Sequence, residues 1–189
     1  MPRRTQIVCL HEGVAGRSID PVFYLRLVQV LDPKWVRPWT GRNAVRMVNG
    51  NGRKDLMAQT PGQIQACRAT GGLTTLVVCG DLDDDMPDGE TLRKEFWITC
   101  NAAGISRADF ETVVFIFAKD RLENWIEFLL TGSTDEGREG PRVADLERVA
   151  LAAQALGQRC NAAGAGPPMP PSLEWSCANW RALVERMKE

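Results

Sequence analysis

The stretch LTTLVVCGDLDDD, residues 73–85, decides the fold, because it joins an almost continuously apolar run to an abrupt acidic turn. Its first seven residues are rich in β-branched side chains, which is typical of a strand buried on both faces. A second run of this kind, ETVVFIFA at 111–118, lies further along the chain. Strands buried on both faces belong to a parallel sheet that carries helices on each side.

Segments with helical periodicity separate the apolar runs. Residues 90–103 have helical composition, and after residue 118 the apolar side chains follow a helical stripe. The predicted strands lie near residues 5–11, 34–39, 73–80 and 112–118. Their alternation with helices predicts an α/β fold of about four mainly parallel strands, joined by right-handed crossovers and flanked by helices on both faces.

Length and composition favour a single domain. The chain has 189 residues and is 44% hydrophobic, which is enough for one ordinary core. We expect residues 1–131 to form the α/β core and residues 132–189 to form a helical extension, in which AGAGPPMPP at 163–171 is an extended strap. The helix predicted from Val143 to Leu156 has an apolar face that would suit a homodimer.

The cysteines and the apolar runs predict a cytoplasmic protein. Six cysteines are scattered without a CxxC pair, mostly within apolar stretches, and we expect them to be reduced core residues. The N-terminus lacks the apolar core of a signal peptide. No apolar run approaches the roughly 20 residues of a membrane span.

Charge is distributed unevenly along the chain, although the net charge is only −1. Residues 33–54 contain basic side chains and no acid: Lys34, Arg37, Arg42, Arg46, Arg53 and Lys54. Trp35 and Trp39 lie between these charges, and such a basic stretch is the kind of surface that follows a nucleic-acid backbone. The alternative is a solvated loop whose tryptophans pack into the core.

Charged residues also follow the predicted strands, at the edge where α/β sheets bind ligands. They are Glu12 after the first strand, Asp81 and Asp83 after the third, and Lys119 and Glu123 after the fourth. Mg²⁺ prefers carboxylate oxygens and needs only one or two of them besides water and substrate phosphate. The simpler interpretation is that the acidic loop is a solvated turn, that Glu123 favours its helix N-terminus, and that Lys119 and the single histidine, His11, are structural.

The motifs HEG at 11–13 and GDLDDD at 80–85 resemble the Toprim domain of topoisomerases, primases, small maturation nucleases and overcoming-lysogenization-type nucleases. The chain is most similar to small stand-alone bacterial Toprim-like proteins, some of which are associated with phage defence. The resemblance implies that Asp81 and Asp83 bind magnesium or manganese, that Glu12 binds metal or moves protons, and that Glu123 assists. The chain departs from the family pattern where an Asp often follows Glu-Gly, and its nearest acid, Asp20, is expected to cap a helix.

Three hypotheses follow. The first is a Mg²⁺-dependent phosphodiester hydrolase that cleaves nucleic acid in phage defence or DNA repair, with the basic stretch and Lys119 as phosphate contacts. The second is a non-catalytic Toprim-like module that binds a partner in a defence or repair complex. The third is a receiver domain of the flavodoxin type, in which a deep aspartate pairs with Lys119. Convergent carboxylates of Glu12, Asp81 and Asp83 would favour the first.

Overall fold

A computed structural model describes residues 7–14, 16, 18–31, 45–70, 74–161 and 167–186. Within these residues, strands and helices alternate as the sequence predicts. The strands are β1 (Ile7–His11), β2 (Val45–Asn49), β3 (Thr75–Leu82) and β4 (Val114–Lys119). The helices are α1 (Asp20–Leu31), α2 (Arg53–Ala69), α3 (Gly89–Ala102), α4 (Arg107–Phe110), α5 (Leu122–Thr131), α6 (Leu146–Asn161) and α7 (Pro171–Arg186).

The four described strands form one sheet in the order β2-β1-β3-β4, and every pairing is parallel. Ile7 of β1 lies opposite Val45 on one side and Thr75 on the other. Since all strands run in the same direction, their carboxyl ends share one edge of the sheet. The predicted α/β architecture is confirmed.

Helices cover both faces of this sheet, and alternate strand residues point to each. Cys9, Cys79 and Ile116 face a core that also contains side chains of α1, α5, α6 and α7. Leu10, Val78 and Phe117 face a second core with α2, α3 and α4. Burial on both faces explains why the sequences of β3 and β4 are apolar at nearly every position.

Helix α7 covers the outer edge of β4 with hydrogen bonds. The hydroxyl of Ser176 accepts a hydrogen bond from the backbone N–H of Phe117 at 3.0 Å, and the hydroxyl of Ser172 accepts one from Lys119 at 3.2 Å. An edge strand otherwise presents unpaired backbone groups. The C-terminal helix therefore completes the sheet and is part of the α/β body.

The second strand lies at Val45–Asn49, where the sequence analysis placed none. The predicted strand at 34–39 lies outside the described residues. β2 is short, is only partly buried and contains Arg46, because it occupies the edge of the sheet. Helix α2 runs unbroken through Pro61.

The expectation of six reduced cysteines is wrong for one pair. Cys160 of α6 and Cys177 of α7 form a disulfide, with Cα atoms 6.2 Å apart. Cys9, Cys67 and Cys79 are free and buried, as is Cys100. The pair is separated by 17 positions and carries no spacing motif, so only the packing of two helices brings the thiols together.

The apolar face of α6 is used within the chain. Val149, Ala152, Ala153 and Leu156 are buried against the core that includes α1 and α5. This face is therefore not available to form the homodimer that the sequence suggested. None of the helices in the described residues combines the length and apolar composition that crossing a membrane would require.

Candidate functional site

The topological switch point of the sheet lies between β1 and β3. From β1 the chain crosses outward to β2, and then returns to place β3 and β4 on the opposite side. In open parallel sheets, ligands bind outside the carboxyl ends of the strands at such a point. Glu12 follows β1 and Asp81 lies near the end of β3, so the fold brings these two predicted site residues to this crevice.

Glu12 is fixed across the gap between the two strands. Its Oε2 accepts a hydrogen bond from the backbone N–H of Asp81 at 2.9 Å. Gly80 makes room for this contact, since a Cβ there would lie 3.0 Å from the same oxygen. Burial raises the pKa of Glu12, as does the nearby charge of Asp83, while the backbone hydrogen bonds from Asp81 and Arg53 oppose the rise.

The carboxyl group of Asp81 lies among the other acids of the site. Its pKa is raised well above the usual value, first by burial and then by the negative charges of Glu12, Asp20 and Glu123. No donor among the described residues forms a hydrogen bond with its side-chain oxygens. A carboxylate that is surrounded by others and lacks a donor is suited to a cation.

Asp20 belongs to the same cluster, although the sequence analysis treated it as a helix cap. It is the first residue of α1 and accepts a hydrogen bond from the hydroxyl of Ser18. Burial, with the charges of Glu123 and Glu12, raises its pKa to about 6. The Asp-Pro pair at 20–21 marked a helix start in the sequence. A helix that follows a parallel strand begins at the carboxyl edge of the sheet, so this position could have placed Asp20 at the site.

Glu123 reaches the cluster from the opposite side, as the second residue of α5. Its charge raises the pKa of both Asp20 and Asp81, which places it near each of them. Glu12, Asp20, Asp81 and Glu123 therefore lie near one another at the carboxyl edge of the sheet.

A cleft of about 830 Å³ opens above this cluster. Asp20, Asp81 and Glu123 line it, together with Arg121 and Arg142. Its walls are aliphatic and include Val14, Ile19, Val22, Leu122, Val143 and Leu146. Neither arginine was predicted from the sequence, although Arg121 follows β4 closely, between Lys119 and Glu123; Arg142 lies far from any strand end.

Asp83 lies apart from this cleft. It is paired with Arg53 at 3.2 Å, and its side chain is 52% exposed. Arg53 also pairs with Asp85 at 2.9 Å, and the exposed Asp88 caps α3 by accepting a hydrogen bond from the backbone of Thr91. The acids of this segment therefore have two different roles. Asp81 lines the cleft, whereas Asp83 and Asp85 form ion pairs with Arg53 at the start of α2.

The side chains are not arranged as a ready-made metal cage. Among the described residues, no three His, Cys, Asp or Glu side chains lie close enough together to hold an ion as they stand. The carboxylates that line the cleft would have to move toward one another around a cation. Burial, and after it the neighbouring negative charges, raise the pKa of Asp20 and of Asp81, and a cation would relieve both effects.

The positions of Lys119 and His11 bear on the remaining hypotheses. Lys119 Nζ donates to the backbone oxygens of Asp83 at 3.1 Å and Met86 at 2.9 Å, so it supports the acidic loop and does not pair with Asp81. This geometry is not that of a receiver domain. The ring of His11 is fully buried, and neither ring nitrogen has a partner in the described part of the chain. Burial lowers its pKa.

The basic stretch is described only in part, since Lys34, Arg37 and Arg42 lie outside the described residues. Arg46 is exposed on β2 and donates to Gln63 at 3.0 Å. Lys54 is exposed at the start of α2, while Arg53 is occupied by its two aspartates. Arg46 and Lys54 therefore remain accessible to a polyanion.

Comparison of the chain with protein-family models, with curated proteins and with solved structures found no match.

Proposed function

We propose that this protein is a Mg²⁺- or Mn²⁺-dependent phosphodiester hydrolase that acts on nucleic acid. The observation that carries the proposal is the gathering of Glu12, Asp20, Asp81 and Glu123 at the switch point of a parallel sheet, around a cleft that also contains two arginines. The resemblance of the HEG and GDLDDD segments to Toprim enzymes supports the same chemistry.

The donor set fits a hard divalent cation. Every candidate ligand is a carboxylate, and magnesium takes oxygen ligands, usually keeping several waters. Asp81 would be the central ligand, because its carboxylate faces the cleft without a hydrogen-bond donor from the described residues. Asp20 and Glu123 line the same cleft from two helices, and either can complete the set.

Bound there, the metal would neutralise charge on a phosphoryl group and lower the pKa of water. The residues of the chain supply the rest. Glu12 is held in one orientation by backbone N–H groups, and its raised pKa makes it a stronger proton acceptor than an ordinary glutamate. Arg121 and Arg142 place positive charge beside the acids, where a substrate phosphate would lie.

The experiment that tests this function compares thermal unfolding with and without metal. An ion that binds only the folded state stabilises it by RT ln(1 + [L]/Kd), which is about 2.7 kcal/mol at a hundredfold excess over Kd. We expect Mg²⁺ or Mn²⁺ to raise the melting temperature of the parent protein and of the control Asp84→Asn, whose side chain is exposed in the same loop. Asp81→Asn should lose this gain.

Cleavage is then measured on labelled single-stranded DNA, duplex DNA and RNA. Metal-dependent cleavage by the parent and by Asp84→Asn, but not by Asp81→Asn, is the expected result. Stabilisation by metal without cleavage of any substrate would favour the non-catalytic binding module. If millimolar Mg²⁺ and Mn²⁺ both leave the melting temperature unchanged, the acidic loop is a solvated turn and the catalytic proposal is withdrawn.

We also propose that the basic stretch contacts the phosphate backbone outside the cleft. Arg46 and Lys54 are the exposed members that the structure describes. Each phosphate contact that is lost should reduce the salt dependence of binding, because fewer counterions are released. Arg46→Ala and Arg42→Ala should each weaken binding and lower the slope of log K against log salt by about 1. Binding that does not depend on salt would contradict this role.

A further inference from the structure

The segment between α5 and α6 brings a positive charge to the cleft that no described carboxylate neutralises. Arg142 lines the cleft and is exposed. Arg121 also lines it but is paired with Glu139. Arg142 forms no ion pair or hydrogen bond with any described residue, even though Asp20, Asp81 and Glu123 line the same cleft.

This separation of charge within one cleft indicates the chemistry of its ligand. A guanidinium group binds phosphate through paired N–H donors, whereas the carboxylates that line the same cleft would repel an anion. If a metal ion is bound by the carboxylates, a phosphate can contact the metal ion and the guanidinium group of Arg142 at the same time. The ligand should therefore bind with metal and fail to bind without it.

The apolar walls and the volume of the cleft indicate what kind of organic group the phosphate carries. Val14 and Leu146 are 51% and 53% exposed at the cleft, so they offer apolar contact to an organic group. A volume of about 830 Å³ is in the range of small-ligand sites. It can take one nucleotide unit, and we expect a double helix not to enter it.

We propose that the cleft binds the phosphate of a single nucleotide unit, either free or at the end of a single strand, and that Arg142 is its phosphate-binding residue. This inference rests on the proposed function, since it assigns a substrate class to the same metal-dependent site. Arg142 is assigned to phosphate binding because it lines the cleft and has no partner among the described residues.

The test measures binding of thymidine 5′-monophosphate, which contains no phosphodiester bond that could be cleaved, by titration calorimetry. We expect binding in Mg²⁺ and none in EDTA. Arg142→Ala should weaken it at least about tenfold, and Arg142→Lys, which keeps the charge but loses the paired donors, should lie between this variant and the parent. The control is Arg148→Ala, which removes an exposed arginine of α6 that is not among the cleft residues and should change affinity less than about twofold.

The outcomes separate this inference from the proposed function. If Mg²⁺ stabilises the parent and Arg142→Ala equally but both bind the nucleotide with the same affinity, the role of Arg142 is refuted and the metal site stands. Equal binding in EDTA, or no binding in Mg²⁺ to a protein that the metal stabilises, also refutes it. Absence of any metal effect on the parent refutes the proposed function itself.

Competition then identifies the source of the nucleotide unit. A 5′-phosphorylated single-stranded oligonucleotide that displaces the mononucleotide more strongly than its unphosphorylated counterpart would identify a strand end. Stronger binding of the mononucleotide would identify a free nucleotide. A blunt duplex without terminal phosphates should not compete in either case, and competition by it would contradict the size argument.

Discussion

Replacing Asp20 by Asn should stabilise the metal-free protein at neutral pH, although it removes a residue of the candidate site. Asp20 lies among Glu12, Asp81 and Glu123, and burial together with the neighbouring charges raises its pKa to about 6 from 3.8. Between pH 3.8 and about 6 the folded state therefore holds a proton that the unfolded chain releases, and above pH 6 it carries a buried charge beside other carboxylates. Asn keeps the shape of the side chain and can still accept a hydrogen bond from Ser18, but it carries no charge to desolvate.

The magnitude follows from proton linkage. A carboxyl group with a pKa of about 6 in the folded state and 3.8 in the unfolded state costs about 3 kcal/mol at pH 7.5. The cost falls to about 1 kcal/mol at pH 4.5, where the folded molecules are nearly all protonated and the unfolded molecules, although mostly ionised, are protonated in part. Since the pKa is raised in the folded state, stability is lost as pH rises from 3.8 toward 6, and the loss is complete above 6. In a chain of this length, 3 kcal/mol corresponds to about 6–12 °C in melting temperature.

The assay is thermal and urea unfolding in EDTA at pH 4.5 and 7.5, on either side of the sequence pI of about 6.0. Asp20→Asn should melt higher than the parent at pH 7.5 and differ much less at pH 4.5. Asp84→Asn, an exposed carboxylate, should differ little at either pH. Excess Mg²⁺ should narrow the gap at pH 7.5, because the ion stabilises the parent. A variant that is less stable than the parent at pH 7.5, or a gap that is equal at both pH values, would refute the account of a crowded acidic cluster.

Three further predictions concern the parts of the fold that hold the site. Burial lowers the pKa of His11, so the unfolded state binds a proton more readily than the folded state. The stability of the parent should therefore fall as pH drops below about 6.5. His11→Leu should reduce that fall, as measured by urea unfolding at pH 5 and 7.5. Ser176→Ala should cost about 1–3 kcal/mol by leaving a buried backbone N–H of β4 without a partner, and an unchanged urea midpoint would argue against edge capping by α7. Gly89→Ala should destabilise by about 1–3 kcal/mol, because its Cβ would lie 2.5 Å from the ring of Trp175, whereas the control Gly62→Ala meets nothing within 4 Å and should be neutral or stabilising.

The α/β architecture could be predicted because its main signals are local. β3 and β4 are apolar on both faces, and α5 carries a regular apolar stripe, so periodicity alone distinguishes strand from helix there. β2 was missed because an edge strand is short and half-exposed, and Arg46 interrupts its apolar pattern. The disulfide between Cys160 and Cys177 was missed because it depends on how two helices pack.

The positions of the acids along the chain were enough to predict which of them reach the carboxyl edge of the sheet. Glu12, Asp81 and Glu123 each stand at a strand end or at the start of the helix that follows, and parallel strands must bring such positions to one edge. Which of these acids share a cleft depends on tertiary packing. Asp81 and Asp83 are two residues apart, yet Asp81 lies in β3 near Asp20, whereas Asp83 lies beyond the end of the strand and pairs with Arg53. Arg142 joins the cleft only because the segment after α5 folds back over the sheet edge, which no local pattern encodes.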